Sequence, residues 1–184
     1  KITNLFAPNS GTSSNSTVNG INNTSSIGIR FIRNLVTNLV NNGIGTTAIV
    51  SGYTTSSSGA DSLINNMFTN ILGTENNANG ILGYSATSNA NHIIWNNTFY
   101  MPNLASQRTN FGATGIMFPS NLGLIDVRNN IIHLDNAASN AGPLGTGTYA
   151  ALRNATNATA GVAPTNLNAV NNIYFTPNIT NSFL

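Results

Sequence analysis

The chain has 184 residues, of which 40% are hydrophobic and 5% charged, against roughly 25% charged in an ordinary soluble domain. That apolar content is enough for one sizeable core and too much for a disordered linker. Six basic and four acidic residues leave a net charge of +2, and Arg30, Arg33, Arg108, Arg128 and Arg153 are scattered, so no nucleic-acid partner or anionic-membrane patch is expected.

In chain order, a short apolar run, an asparagine step and a second apolar run recur. They read Ile2-Thr3-Asn4-Leu5-Phe6, Ile32-Arg33-Asn34-Leu35-Val36, Leu63-Ile64-Asn65-Asn66-Met67-Phe68, Ile94-Trp95-Asn96-Asn97-Thr98-Phe99, Val127-Arg128-Asn129-Asn130-Ile131-Ile132 and Val170-Asn171-Asn172-Ile173-Tyr174. The leading asparagines, Asn4, Asn34, Asn65, Asn96, Asn129 and Asn171, are 30, 31, 31, 33 and 42 residues apart, the drifting period of a solenoid. Between these steps lies a second apolar series: Gly20-Ile21, Ala48-Ile49-Val50, Gly80-Ile81-Leu82, Gly115-Ile116-Met117 and Ala150-Ala151-Leu152. Three short strands per repeat without helical periodicity predict an all-β right-handed parallel β-helix of about five to six coils of roughly 30 residues. Residues 1–184 read as a single β-helix domain and, since the chain opens inside a repeat with no signal peptide, as a segment of a longer chain.

A sharp corner between strands favours a residue that tolerates the left-handed αL backbone, and Asn does so better than any other non-Gly residue. Repeated every coil, the six leading asparagines are expected to stack as a hydrogen-bonded ladder at one corner. The segments between, such as 51–59, 104–113 and 136–166, read as loops of variable length.

Chemistry is sparse. There is no Cys, hence no disulfide or thiol chemistry, and no apolar run of about 18 residues, hence no membrane span. The acids are Asp61, Glu75, Asp126 and Asp135. Asp61 and Asp126 occupy a similar stage of coils two apart, and Asp126, Arg128, His133 and Asp135 gather round one corner. A glycosidase needs two carboxyls roughly 5 to 10 Å apart, so a structural role is expected here. No enzyme activity, metal site or cofactor is predicted, because two His without a spacing motif make no zinc site, and His92 reads as a wall residue. Tyr53, Tyr84, Phe111 and Phe118 fall in or near loops and are the candidate ligand surface for sugar stacking.

The runs Ile93 to Tyr100, Asp126 to Ile132 with Tyr149 to Thr156, and Ala169 to Phe175 resemble the Asn-Asn-Ile strand repeats of large secreted β-helix proteins of Bacteroidota. The resemblance implies an extracellular or cell-surface location, type IX secretion, and a role as adhesin or surface filament. Apart from the resemblance, open coil ends suit neighbouring coils of the same long chain or other copies end to end as partners, and the loop aromatics suit surface glycans. The second reading is a carbohydrate-binding or polysaccharide-active β-helix module of lyase or glycosidase type. Asn-x-Ser/Thr occurs at Asn15, Asn22, Asn23, Asn96, Asn154, Asn157 and Asn178, and Asp61-Ser62-Leu63 resembles the short Bacteroidota O-glycosylation motif, with Ser62 as acceptor.

Overall fold

The computed structural model describes residues 1–7, 15–73, 80–88, 90–102, 109–118, 123–135, 147–154, 166–176 and 182–183. Glu75, Arg108, Asn157, Asn178 and most of the 136–166 segment lie outside them. Among the described residues, 17 strands and no helix form three parallel sheets. Sheet A stacks β1 (Ile2–Ala7), β4 (Leu35–Asn41), β7 (Met67–Gly73), β10 (Thr98–Met101), β13 (Ile131–Leu134) and β16 (Ile173–Phe175). Sheet B stacks β2 (Thr17–Asn23), β5 (Ile49–Thr55), β8 (Ile81–Ala86), β11 (Ala113–Phe118), β14 (Tyr149–Asn154) and β17 (Ser182–Phe183). Sheet C stacks β3 (Arg30–Ile32), β6 (Asp61–Ile64), β9 (His92–Trp95), β12 (Ile125–Arg128) and β15 (Leu167–Val170). The chain visits A, B and C in turn, and each strand pairs with its counterpart one coil away, as the predicted parallel β-solenoid requires.

Strand register sorts side chains into columns. In sheet A, Val36, Phe68, Phe99, Ile132 and Tyr174 are successive partners. All but the last are fully buried, and Phe68 and Phe99 stack with centroids 5.0 Å apart and planes 5° from parallel. Sheet B contributes Val18, Val50, Ile81, Ala113 and Tyr149, and sheet C contributes Leu63, Ile94 and Val127. Burying these apolar columns is the main force for folding. The second apolar series of the sequence does locate sheet B, although its five segments are not in one register.

The asparagine step contains two different columns. The αL corner is occupied by Arg33 (φ 57°), Asn65 (58°), Asn96 (56°), Asn129 (54°) and Asn171 (55°). The N–H groups of the first four donate to Ile64, Trp95, Arg128 and Val170 one coil on. The hydrogen-bonded ladder runs one residue later, through Asn34, Asn66, Asn97, Asn130 and Asn172. Along it, each backbone N–H reaches the next Oδ1 at 2.8–2.9 Å and each side-chain Nδ2 reaches it at 3.0–3.4 Å. The expected ladder of Asn4, Asn34, Asn65, Asn96, Asn129 and Asn171 is therefore corrected. Only Asn34 of that set belongs, because the backbone turn needs αL at the first position and an inward amide at the second.

Asn4 belongs to a separate feature. Asn4 (φ 61°), Asn38 (57°) and Asn70 (54°) are extra αL residues inserted in β1, β4 and β7, kinks of the kind a β-bulge makes. Asn70 Nδ2 donates to Asn38 Oδ1 and Asn38 Nδ2 to Asn4 Oδ1, both at 3.0 Å. β10 and β13 have no such residue and alternate regularly, with Phe99, Met101, Ile132 and Leu134 inward.

Arg33 is the exception in the corner column. The Cβ of a non-glycine residue is strained in αL by about 1–2 kcal/mol, part of which Asn recovers through local hydrogen bonds of its short polar side chain. Arg33→Asn is expected to raise the melting temperature by about 2 °C in scanning calorimetry, given roughly 2–4 °C per kcal/mol for a chain of this size. A fall would mean that the guanidinium makes a contact outweighing the backbone strain.

Candidate functional site

Apart from the ladder, a buried polar cluster lies where sheets B and C meet. Sheet C places Asp61, His92, Ile125 and Leu167 in one inward column, and sheet B places Ile21, Tyr53, Tyr84, Ile116 and Leu152 in the facing one. Asp61, fully buried, accepts from Asn23 Nδ2 at 3.0 and 3.3 Å, Ile29 N–H at 2.9 Å and Tyr53 O–H at 3.1 Å. Several donors on one carboxylate let a charge sit in the interior without a cation. One coil on, the Tyr84 hydroxyl lies 2.9 Å from His92 Nδ1, and His92 Nε2 lies 3.5 Å from the Ser88 carbonyl. Tyr53 and Tyr84 stack with centroids 5.5 Å apart and planes 11° from parallel.

Burial sets the electrostatics. It pushes the Tyr53 phenol well up, helped by the Asp61 charge and hydrogen bond, and raises Tyr84 for the same first reason, with Asp61 and Tyr53 adding to it. Burial lowers the His92 imidazole below its ordinary 6.5, against smaller opposing contributions from the Ser88 carbonyl and Asp61. His92 is thus the wall residue that the sequence suggests.

The candidate ligand surface does not exist as such. Tyr53, Tyr84 and Phe111 are fully buried and Phe118 is 1% exposed, so none offers a ring face to a sugar. Tyr53, Tyr84 and Phe118 lie in strands β5, β8 and β11, where Gly52 and Gly83, ordinarily turn signals, are strand residues. The aromatic residues on the outer faces are others. Tyr100, His133 and Phe175 follow one another on sheet A, with centroids 5.2 and 4.3 Å apart, and the Arg128 guanidinium lies 5.6 Å over Trp95 on sheet C.

Among the described residues, Asp61 and Asp126 do not converge. Asp61 pairs with His92 in the inward column, whereas Asp126 pairs with Ile93 in the outward one. The two carboxylates therefore face opposite sides of sheet C. Asp126 forms an ion pair with Arg128 on its own strand, but His133 projects from sheet A between Tyr100 and Phe175. The four-residue corner group is thus divided between two sheets.

Ser62, the candidate O-glycan acceptor, is half-buried in the outward column beside Arg30 and Ile93. Asn15, Asn22 and Asn96 are exposed, and Asn23 is buried against Asp61. Asn96 is the exposed αL corner residue, and the ladder residue beside it is Asn97. Among the described residues no group of His, Asp and Glu could hold a metal ion, and no helix is long and apolar enough to cross a membrane.

The class these features define is a three-sheet parallel β-solenoid with an internal asparagine ladder. Compared with protein-family models, curated proteins and solved structures, the chain matches none.

Proposed function

We propose that this chain is a non-enzymatic rod segment of an extracellular surface protein or filament, with a structural or adhesive role. The observation that carries the reading is where the polar groups are spent. Ladder amides and backbone N–H groups bind the next coil in one repeating pattern, and the buried carboxylate is satisfied from within the wall. Such a structure adds coils axially at about 4.8 Å each, and its strand edges suit neighbouring coils of the same chain or of another copy.

The resemblance to Bacteroidota surface β-helices supports the location. The test is immunogold electron microscopy of intact source cells with antibody raised against the 184-residue polypeptide. Label on surface fibres or on the outer envelope is expected, and label found only after the cells are broken open would overturn the reading. Glycan attachment at Ser62, Asn15, Asn22 or Asn96 belongs to the same reading, and would appear in the mass of the native protein as sugar-sized increments localised by peptide mapping.

A further inference from the structure

We propose that the Tyr84–His92 pair makes the coil containing β8 and β9 an acid-labile joint in the rod. The ring is held in one hydrogen-bonded state. Nδ1 faces the Tyr84 hydroxyl at 2.9 Å and Nε2 faces the Ser88 carbonyl, an arrangement satisfied by neutral imidazole with its proton on Nε2, Tyr84 donating to Nδ1.

A second proton would have to go on Nδ1. The ring would then present a donor to a hydroxyl that is itself donating, and Tyr84 would have to turn its hydrogen elsewhere. Its neighbours offer little. Tyr53 stacks on it from β5 and already donates to Asp61, Ile116 lies next to it in β11, and Phe99 and Met101 approach from β10 against Gly83. Around the imidazole, the groups that titrate are Tyr84, Tyr53 and Asp61. Asp61, its register partner in β6, offsets part of the cost of a positive charge, but its oxygens already accept from Asn23, Ile29 and Tyr53. On the other side β12 supplies only Ile125.

Burial holds the folded-state imidazole below 6.5, so the unfolded chain binds the proton first as pH falls. The stabilising contribution of neutral His92 is complete above that value and is lost as the pH drops through the folded-state value, with a slope of at most about tenfold in the folding constant per pH unit.

The experiment follows amide hydrogen exchange, expressed as protection factors, with the histidine ring nitrogens read by NMR, from pH 7.5 to 4.5. The expected result is a neutral, Nε2-protonated His92 at pH 7. Below 6.5, protection in β8 and β9 should fall by up to about tenfold per pH unit, ahead of β4 and β7. A His92 ring that protonates without loss of protection there would overturn the proposal. The double variant Tyr84→Phe/His92→Ile removes the titrating pair while using an aliphatic residue the His92 column already holds at Ile125. If it folds, its protection should be level across this range, and an unchanged acid response would overturn the proposal equally.

Discussion

Asn97→Ala is expected to unfold the protein or to lower its stability by about 3–9 kcal/mol in denaturant titrations. Asn97 is 1% exposed and serves three coils at once. Its Nδ2 donates to Leu63 O at 2.9 Å and to Asn130 Oδ1 at 3.1 Å, and its Oδ1 accepts from Asn66 N–H at 2.8 Å and Asn66 Nδ2 at 3.0 Å. Alanine leaves the Leu63 carbonyl and both Asn66 donors in the interior without those partners, at about 1–3 kcal/mol each. Against a total stability of about 5–15 kcal/mol, that decides whether the rod folds. Two comparisons locate the cause. Asn34→Ala, at the half-buried end of the ladder, gives up the bonds of Asn34 Nδ2 to Ile32 O and Asn66 Oδ1 and should cost about 1 kcal/mol. Asn96→Ala tests the exposed αL corner alone and should cost about 1–2 kcal/mol. If Asn97→Ala were no worse than Asn34→Ala, the ladder would be an ornament of the corner and not part of what holds the coils in register.

The ladder also shows how far the sequence could be read. The period, the parallel solenoid and the corner are legible because apolar runs flank every step. The register within the step is obscured by the doublets Asn65-Asn66, Asn96-Asn97, Asn129-Asn130 and Asn171-Asn172, in which backbone geometry and amide stacking ask for the same residue at adjacent positions. The coil with a single Asn separates them. Aligned by its flanks, Phe31-Ile32-Arg33-Asn34-Leu35-Val36 sets Asn34 opposite Asn66 and leaves Arg33 at the turn. The polar interior was less legible, because the pairing of Asp61 with Tyr53 and of His92 with Tyr84 depends on two sheets meeting. Each pair is eight residues apart in sequence, yet nothing local shows that both members face inward.

Gly83→Ala is expected to destabilise the rod by about 3 kcal/mol, opposite in sign to the usual effect of replacing a strand glycine. Ordinarily alanine stabilises such a site by about 0.5–1 kcal/mol, since glycine loses more backbone freedom on folding. Here space overrules entropy. Gly20, Gly52, Gly83 and Gly115 mark one level of sheet B, and a Cβ on Gly83 would stand 2.5 Å from the Gly115 carbonyl oxygen, 2.7 Å from Phe99 Cδ1 and 2.8 Å from Met101 Cε. Gly52 meets Gly83 O and Phe68 in the same way. The bare backbone lets the stacked phenylalanines of sheet A lie directly against sheet B, so the cross-section of the coil is set by these glycines. Overpacking a tight interior costs about 1–3 kcal/mol, and the upper end applies because one contact is a backbone oxygen that no rotamer change relieves. Calorimetry should show a fall of roughly 6–12 °C. Shortening the ring in the Gly83→Ala background, as Phe99→Leu, should recover only the side-chain part of the loss. Full recovery would place the whole clash on the Phe99 ring, whereas no recovery would place it on the Gly115 carbonyl, where strand spacing itself resists it. A Gly83→Ala protein as stable as the parent would show that the two sheets can move apart, and that the glycine level does not set the width of the coil.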